Sequence, residues 1–561
     1  MFENEVLKIL KSVGITITRE NLENPPQEEF GDLSFPCFHL SKEQKRNPNE
    51  IANGIASKIK LPRVSVIEKV EARGAYVNFF YNYSKLATTV LKEVLAKKEN
   101  YGKGKRKQKI IVEFAHPNTH KLFHIGHLRN ITTGESVSRI LEHNGSEVVR
   151  ANYQGDVGLH IAKCLWGIKN LGMEKLSSLD KKIEFLGKAY VEGNKAYEND
   201  NTKNEIIELN RKVYEKNPKV MKLWKETRKW SLNYFDIIYK RVYTKFDRLY
   251  FESEVAEPGL KITKKALKKG ILTTSEGATI FDGEKYGLDK RVFVNNLGFP
   301  TYEAKELGLA ELEFSEFGKV DKCVHVVGPE QSSFFKVTFK VEELLDSKKF
   351  KDKQMHLAYG WVRLKEGKMS SRLGNVVEGE WLLNELKKNI LEKYIKKQDY
   401  SEKEKLEVAE AVAIGAAKYY FLKVNVSSEI SFDINEAISM EGNTGPYIQY
   451  AYTRCCSILE KAKKLGKKTS QNLMPEEKKL IKILSLFPEI VKKSGDELSP
   501  THICNYAYEL STAFSNFYEK CRVLNAETEE LKNFRLNLVK SSQIVLGNCL
   551  KLLGIEPVEK M

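Results

Sequence analysis

The sequence has no long hydrophobic run: no stretch approaches the ~18 consecutive apolar residues of a membrane-spanning helix. Its opening residues, Met1-Phe2-Glu3-Asn4-Glu5-Val6, carry acids where a secretory signal needs bases. A cytoplasmic protein with no membrane partner is expected. No C-x-x-C pair occurs among Cys37, Cys164, Cys323, Cys455, Cys456, Cys504, Cys521 and Cys549, which mostly sit in apolar surroundings. Reduced core thiols are expected rather than disulfides or zinc, and no protein-bound metal. Acids are the minority charge, 75 Asp and Glu against 92 Lys and Arg, leaving +17 on a chain that is 41% hydrophobic. That balance describes a basic globular protein, and its first candidate partner is nucleic acid. At 561 residues the chain exceeds one core, and about 150 residues per domain suggests three or four domains.

What is present centres on residues 110–129. Ile110 to Phe114 reads as a buried strand, Pro117 and Asn118 interrupt it, and a helical pattern begins near Gly126 and runs through Leu128 and Ile131. A strand, a loop and a helix N-terminus present free backbone N–H groups to a phosphate, and Gly126 removes the side chain that would hold a nucleotide off the backbone. His124 and His127, three residues apart, both face such a phosphate and donate hydrogen bonds without a full charge.

Before this stretch, residues 1–100 read as a small α+β domain. Helices are expected over Phe2–Leu10 and Pro48–Ile59, and strands at 64–66 and 75–81. A further helix is expected from Ser84, its N-cap, to Lys98. Nothing there looks catalytic. Residues 102–109, rich in lysine, form a linker, either a solvated connector or a contact to nucleic acid. Residues 147–153 read as a second strand of a parallel α/β sheet, ending at Gly155-Asp156-Val157-Gly158, so both loops share one crevice. The region from about 169 to 290 reads as a largely helical insertion outside the sheet, with short β segments at 278–281 and 291–294. The helix opened by Pro300-Thr301-Tyr302, and the strand 324–328 that stops at Gly328-Pro329-Glu330-Gln331, resume the fold. Residues 355–362 read as one more strand, followed by the loop 364–377 with Lys365, Lys368 and Arg372 beside Ser370 and Ser371. Cations on a hinged loop close over a triphosphate, although the same loop alone also reads as a basic surface turn. From residue 401 to 561 the pattern is amphipathic helix, with Thr444 a candidate N-cap. Tyr447, Tyr450 and Tyr518 there either stack on unpaired bases or lie half-buried in a bundle.

His124-Ile125-Gly126-His127 and Lys368-Met369-Ser370-Ser371-Arg372, about 240 residues apart, resemble the two signatures of class I aminoacyl-tRNA synthetases. The finer resemblance is to the arginyl-tRNA synthetases and covers essentially the whole chain. It rests on Val112 to Asn118, Asn152-Tyr153-Gln154-Gly155-Asp156, the string from Gly442 to Tyr452, and the ending Leu552 to Met561. The implied fold is multidomain α/β. A small N-terminal α+β domain (1–100) contacts tRNA, a class I Rossmann-like catalytic domain (109–400) carries the helical insertion, and a C-terminal all-α helix bundle (401–561) binds the anticodon.

The resemblance also implies an activity: L-arginine is activated with Mg2+-bound ATP, and the arginyl group passes to tRNA(Arg), with AMP and pyrophosphate released. Arginine activation is expected to need bound tRNA, and the enzyme to act as a monomer. Carried over by position, Glu113 and Asn118 hold the backbone end of the amino acid, and Tyr302, Glu306 and Gln331 form the side-chain pocket. Phe123, His124, Gly126, His127, Gly328, His356, Lys368, Met369 and Ser370 serve ATP, and Tyr447, Tyr450 and Tyr518 serve tRNA. Two departures stand out. Glu306 replaces the commoner Asp, and Ser371 replaces the second lysine of the loop signature, a gap that Lys121 is positioned to fill as a fourth catalytic group beside His124, His127 and Lys368. A guanidinium needs planar acceptors, which Glu306 supplies. Another class I synthetase, a cytidylyltransferase-like enzyme and a non-catalytic RNA-binding relative are the alternatives. The acid at 306, the helical segment after 401 and the retained His124, His127 and Lys368 argue against them in turn.

Overall fold

The computed structural model describes residues 2–63, 65–173, 176–365, 377–462, 466 and 472–561. In the N-terminal domain, β1 (Leu33–Pro36), β2 (Ile67–Arg73) and β3 (Tyr76–Tyr81) form an antiparallel sheet in the order β1-β3-β2. The strand expected at 64–66 starts instead at Ile67. The Ser65 hydroxyl accepts a hydrogen bond from the Ile67 N–H at 3.0 Å, and that local bond keeps Ser65 out of the ladder; Val64 lies outside the described residues. The following helix, Tyr83–Lys97, is capped by Asn82, whose Oδ1 accepts from the Lys85 N–H at 3.0 Å, not by Ser84.

The central sheet is parallel throughout, in the order β11-β10-β4-β5-β6. Its strands are β4 (Lys109–Glu113), β5 (Glu147–Gln154), β6 (Arg248–Phe251), β10 (Lys322–Val327) and β11 (Gln354–Ala358). Ile110, Ile111 and Val112 are buried, as a strand covered on both faces requires. The helical insertion is corrected in one respect. The region 169–290 does contribute the helices Leu179–Ala196, Asp200–Tyr214 and Pro218–Arg241, but β6 inside it is an edge strand of the sheet. Four residues between charged helices are too few to display a strand's alternation. Beyond the helix Glu252–Lys268, β7 (Thr273–Ser275), β8 (Ala278–Phe281) and β9 (Arg291–Val294) make a separate antiparallel sheet.

The strand expected over 355–362 also breaks. Gly360 lies so close to the Ser428 carbonyl that a Cβ would stand 2.3 Å from it. The chain leaves the sheet there, and β12 (Val362–Leu364) pairs with β13 (Ile430–Phe432) instead. The C-terminal region is helical, built from Glu402–Leu422, Gly445–Ala462, Pro475–Asp496, Thr501–Lys520 and Glu529–Leu552. Its core is continuous with that of the N-terminal domain, where Tyr101 stacks on Phe487 at 5.8 Å.

The helix Ile125–His143 threads these parts together and is buried along most of its length. Asn130 accepts from the Ala115 N–H at 2.6 Å and donates to the Val326 carbonyl at 2.7 Å, joining the ends of β4 and β10. Arg129, 1% exposed, donates to the carbonyls of Gly360 (2.6 Å), Trp361 (2.9 Å), Val426 (3.0 Å) and Ser428 (2.7 Å). Arg129→Met keeps the aliphatic stem and removes the donors. Leaving buried carbonyls unpaired is expected to cost about 3 kcal/mol or more, read in thermal unfolding as a fall of several degrees in Tm; an unchanged Tm would mean the clamp carries little.

Candidate active site

A cavity of about 870 Å³ opens at the carboxyl ends of β4, β5 and β10. After β4 the backbone takes left-handed angles at Ala115 (φ 82°) and His116 (φ 50°), the kind of strain that concentrates at working sites. The bend carries Glu113, His116 and Asn118 into the cavity wall, where Tyr302, Glu306 and Gln331 join them. His124, Gly126, His127 and Gly328 line the same cavity. Nine of the residues singled out in the sequence are thus brought together.

The two histidines form a reciprocal cap. His124 Nδ1 accepts from the Gly126 N–H at 3.1 Å, and His127 Nδ1 accepts from the His124 N–H at 3.1 Å. Their rings stack with centroids 3.7 Å apart. Each Nδ1 is an acceptor, so each ring is neutral and carries its proton on Nε2, a donor beside the helix N-terminus. Burial, with a smaller push from Lys121, lowers His124 to about 4. Burial, followed by His124, lowers His127 well below the usual range. Gly126 has a second reason to be glycine: a Cβ would lie 2.9 Å from the His124 ring and break the cap.

The acids are the opposite case. Glu113 and Glu306 are 2% and 3% exposed, yet Glu113 Oε2 and Glu306 Oε1 have no hydrogen-bond partner among the described residues. Buried carboxylate oxygens without donors are costly, and cationic donors of a ligand would satisfy both. Tyr302 is 61% exposed and stands at the rim.

Other candidates fall elsewhere. Phe123 is core, packed on His127 at 5.1 Å. His356 bonds through Nε2 to the Val327 carbonyl at 3.1 Å and lies outside the lining. The Lys121 ammonium sits over the Tyr190 ring at 5.5 Å, with burial and then Lys163 pushing its pKa down. Lys368, Met369, Ser370 and Ser371 lie outside the described residues, but Leu364 and Val377 on either side both line the cavity. The stretch that follows is tied to the histidines, with the Ile125 N–H donating to Val377 O and the Gly379 N–H to Phe123 O, each at 3.0 Å. Far along the chain, Tyr450 and Tyr518, 38% and 39% exposed, hold the Arg454 guanidinium at 5.1 and 4.9 Å from their rings. Tyr447 is half-buried against Tyr508.

Some lining residues escaped sequence reasoning. Tyr153 stands inside the string quoted for resemblance. Glu252, buried in an ion pair with Lys305 at 2.7 Å, follows directly on β6, and reading β6 as a strand would have placed it at a carboxyl end. Trp361 and Tyr359 add aromatic wall. The imidazole of His124 is expected to show no NMR titration between pH 5.5 and 8 in the ligand-free protein, because its folded pKa lies below that window; a midpoint above 6 would remove the neutral-donor arrangement.

Residues 90–434 match the family model described as tRNA synthetases class I (R), catalytic domain. Residues 448–561 match the DALR anticodon binding domain, and residues 1–81 the arginyl tRNA synthetase N terminal domain. The chain is 36% identical to an arginine–tRNA ligase of Treponema denticola, over 96% of this chain and 95% of that one. To the arginine–tRNA ligase of Clostridium acetobutylicum it is 35% identical over 96% of each chain. Among solved structures, the arginyl-tRNA synthetase of Thermus thermophilus superposes with a TM-score of 0.83 at 26% identity, covering 100% of this chain and 99% of that one. That of Plasmodium falciparum, at 22% identity and TM-score 0.78 over 100% and 99% of the two chains, shares the fold.

Proposed function

This chain belongs to the arginyl-tRNA synthetases of class I, and from that premise we propose how its cavity works. The protein is an arginine–tRNA ligase: it activates arginine with ATP and passes it to tRNA(Arg). The observation that carries the site reading is one cavity holding two buried acids with unpaired oxygens beside two neutral histidine donors at a helix N-terminus. Glu113, with Asn118, takes the α-ammonium of arginine, and Glu306, with Tyr302 and Gln331, takes the guanidinium. An apolar amino acid would leave Glu306 buried and unpaired, which is the basis of discrimination.

The arginine carboxylate attacks the α-phosphorus of magnesium-bound ATP in line, and pyrophosphate leaves. The adenylate is then taken by the terminal ribose hydroxyl of tRNA. His124 and His127 donate from Nε2 to phosphate oxygens as charge shifts, and Lys121 and Lys368 supply full positive charge; no protein nucleophile is needed. Gly126 and Gly328 give the nucleotide backbone-close seating, and Trp361 offers a face for the base. Phe123 and His356 act indirectly, through the packing of His127 and the bond to Val327.

Residues 1–100 and 401–561 are read as tRNA-contacting and anticodon-binding domains around the catalytic domain 109–400. The exposed Tyr450–Arg454–Tyr518 group is a surface on which unpaired bases stack, with Tyr447 supporting it. The protein is read as a monomer, and charging of tRNA supports a cytoplasmic location.

The decisive assay is arginine-dependent ATP–pyrophosphate exchange with and without tRNA. Exchange with arginine, strengthened by tRNA, is expected; exchange driven by another amino acid but not by arginine would overturn the specificity. Glu306→Gln is expected to weaken arginine on the order of 100-fold while leaving ATP nearly unaffected, and equal effects on both would remove it from the pocket. Lys121→Ala is expected to slow adenylate formation with tRNA affinity nearly intact; an unchanged rate would mean that Ser371 needs no substitute.

A further inference from the structure

Behind the cavity the strand β10 places His325, 0% exposed, against a set of buried acids. Its Nδ1 lies 3.1 Å from Glu113 Oε1 and 3.9 Å from Glu306 Oε1. Its Nε2 lies 3.0 Å from Gln354 Oε1, while Gln354 Nε2 donates to Glu342 Oε2 at 2.8 Å. The amide nitrogen is committed to Glu342, so the amide oxygen accepts, and His325 Nε2 carries a proton. A bare Nδ1 lone pair facing an ionised Glu113 at 3.1 Å would be repulsive. If Glu113 is an anion, His325 is doubly protonated.

We propose that His325 is a positioning residue of the arginine site, a buried imidazolium that keeps Glu113 ionised while Glu306 stays protonated until a guanidinium enters, so that arginine binding releases one proton. The proposal rests on the assignment of Glu113 and Glu306 to arginine made above.

The charge count around His325 supports it. Glu113, Glu306, Glu313 and Glu342 are all buried, with Cys323 donating from its thiol toward Glu313 at 3.6 Å. His325 is the cation common to all four, and one positive charge balances only one carboxylate. Glu113 makes the closest contact and is held below the ordinary carboxyl range by the His325 charge, against its own burial. Burial pushes Glu306 up to about 8, and Glu113 and Glu303 add to that push while His325 opposes it. Glu303 has its own partner, Arg291 at 3.3 Å. Burial also drives Glu313 and Glu342 well above the ordinary range. The remaining titratable neighbours are neutral: burial keeps the Tyr153 phenol and the Cys323 thiol protonated, and lowers His116 and His356. Glu313 and Glu342 lie outside the cavity lining, whereas Glu306 lines it, so Glu306 is the protonated acid a ligand cation meets.

The step balances simply. The Glu306 carboxyl loses its proton to solvent, the carboxylate accepts the guanidinium, and the guanidinium keeps all of its own protons. Below about pH 8 the free site holds a proton that the complex does not, so affinity rises with pH up to that point and then levels.

Isothermal titration of L-arginine into the full chain, in buffers of high and low ionisation enthalpy at pH 7, counts the protons. Release of about one proton per arginine is expected, with Kd tightening roughly tenfold from pH 6 to 7 and about fivefold from pH 7 to 8. Glu306→Gln is expected to bind more weakly, with no proton released and a flat pH profile. His325→Asn leaves Glu113 without its counter-charge, so release rises toward two protons and the affinity lost at pH 7 returns at higher pH; a merely structural role would give a loss independent of pH. Binding by the native chain with no proton exchange, while Glu306→Gln still weakens arginine, would overturn this inference and leave the site reading standing. Unchanged arginine binding by Glu306→Gln would overturn both.

Discussion

A buried guanidinium that, among the described residues, bonds only to carbonyls sets the frame of this molecule. Arg129 lies two residues beyond His127 on the helix Ile125–His143 and grips Gly360 and Trp361 on one segment and Val426 and Ser428 on another. Trp361 and its neighbours wall the cavity, and Val426 and Ser428 lead into β13. The clamp therefore fixes where the cavity wall stands relative to the histidine cap. The far end of the helix is anchored as firmly. Ser136 and Arg139 donate to the Leu552 and Lys551 carbonyls at the end of the last helix, at 2.9 and 3.0 Å, and Arg139 also reaches Tyr243 O at 2.8 Å. Lys418 bonds Val242 O at 2.5 Å and Gly554 O at 2.6 Å in the same region. Cations at the carbonyl ends of two helices complement their dipoles. One helix thus spans from the histidine cap to the terminal helix of the C-terminal bundle.

Within that frame the cavity separates two kinds of electrostatics. At the helix N-terminus, neutral imidazoles and backbone N–H groups provide directional donors without a standing charge, which suits a triphosphate whose charge is redistributed during reaction. At the end of β4, buried carboxyls cluster around His325, an environment that favours a cationic side chain over an apolar one. Arginine brings two cationic groups, and in the proposed reading Glu113 and Glu306 meet one each.

Much of this was legible in the sequence. The apolar run 110–114, the break at Pro117 and the helix beyond it are local features, and they emerged nearly as read, with Glu113 at the strand end and His124 as the cap. What escaped depended on distant partners. β6 is four residues long and is a strand only because β5 lies beside it. Gly360 breaks the strand expected over 355–362 because Ser428, far along the chain, occupies the space of a side chain. His325 sits in an apolar run that reads simply as buried strand, and its importance appears only when β4 and β10 align it opposite Glu113. Arg129, the last residue of the central stretch, carries no mark in the sequence of the four carbonyls it binds, which come from segments hundreds of residues away.

The pairing of two acids with the two cationic groups of one amino acid is tested most directly by a crystal structure of the full chain with a non-hydrolysable arginyl-adenylate analogue. The guanidinium is expected within hydrogen-bond distance of Glu306, the α-ammonium against Glu113 and Asn118, and the phosphate mimic beside the Nε2 atoms of His124 and His127. A guanidinium directed away from Glu306, or an α-ammonium bound elsewhere with Glu113 still unpaired, would contradict it.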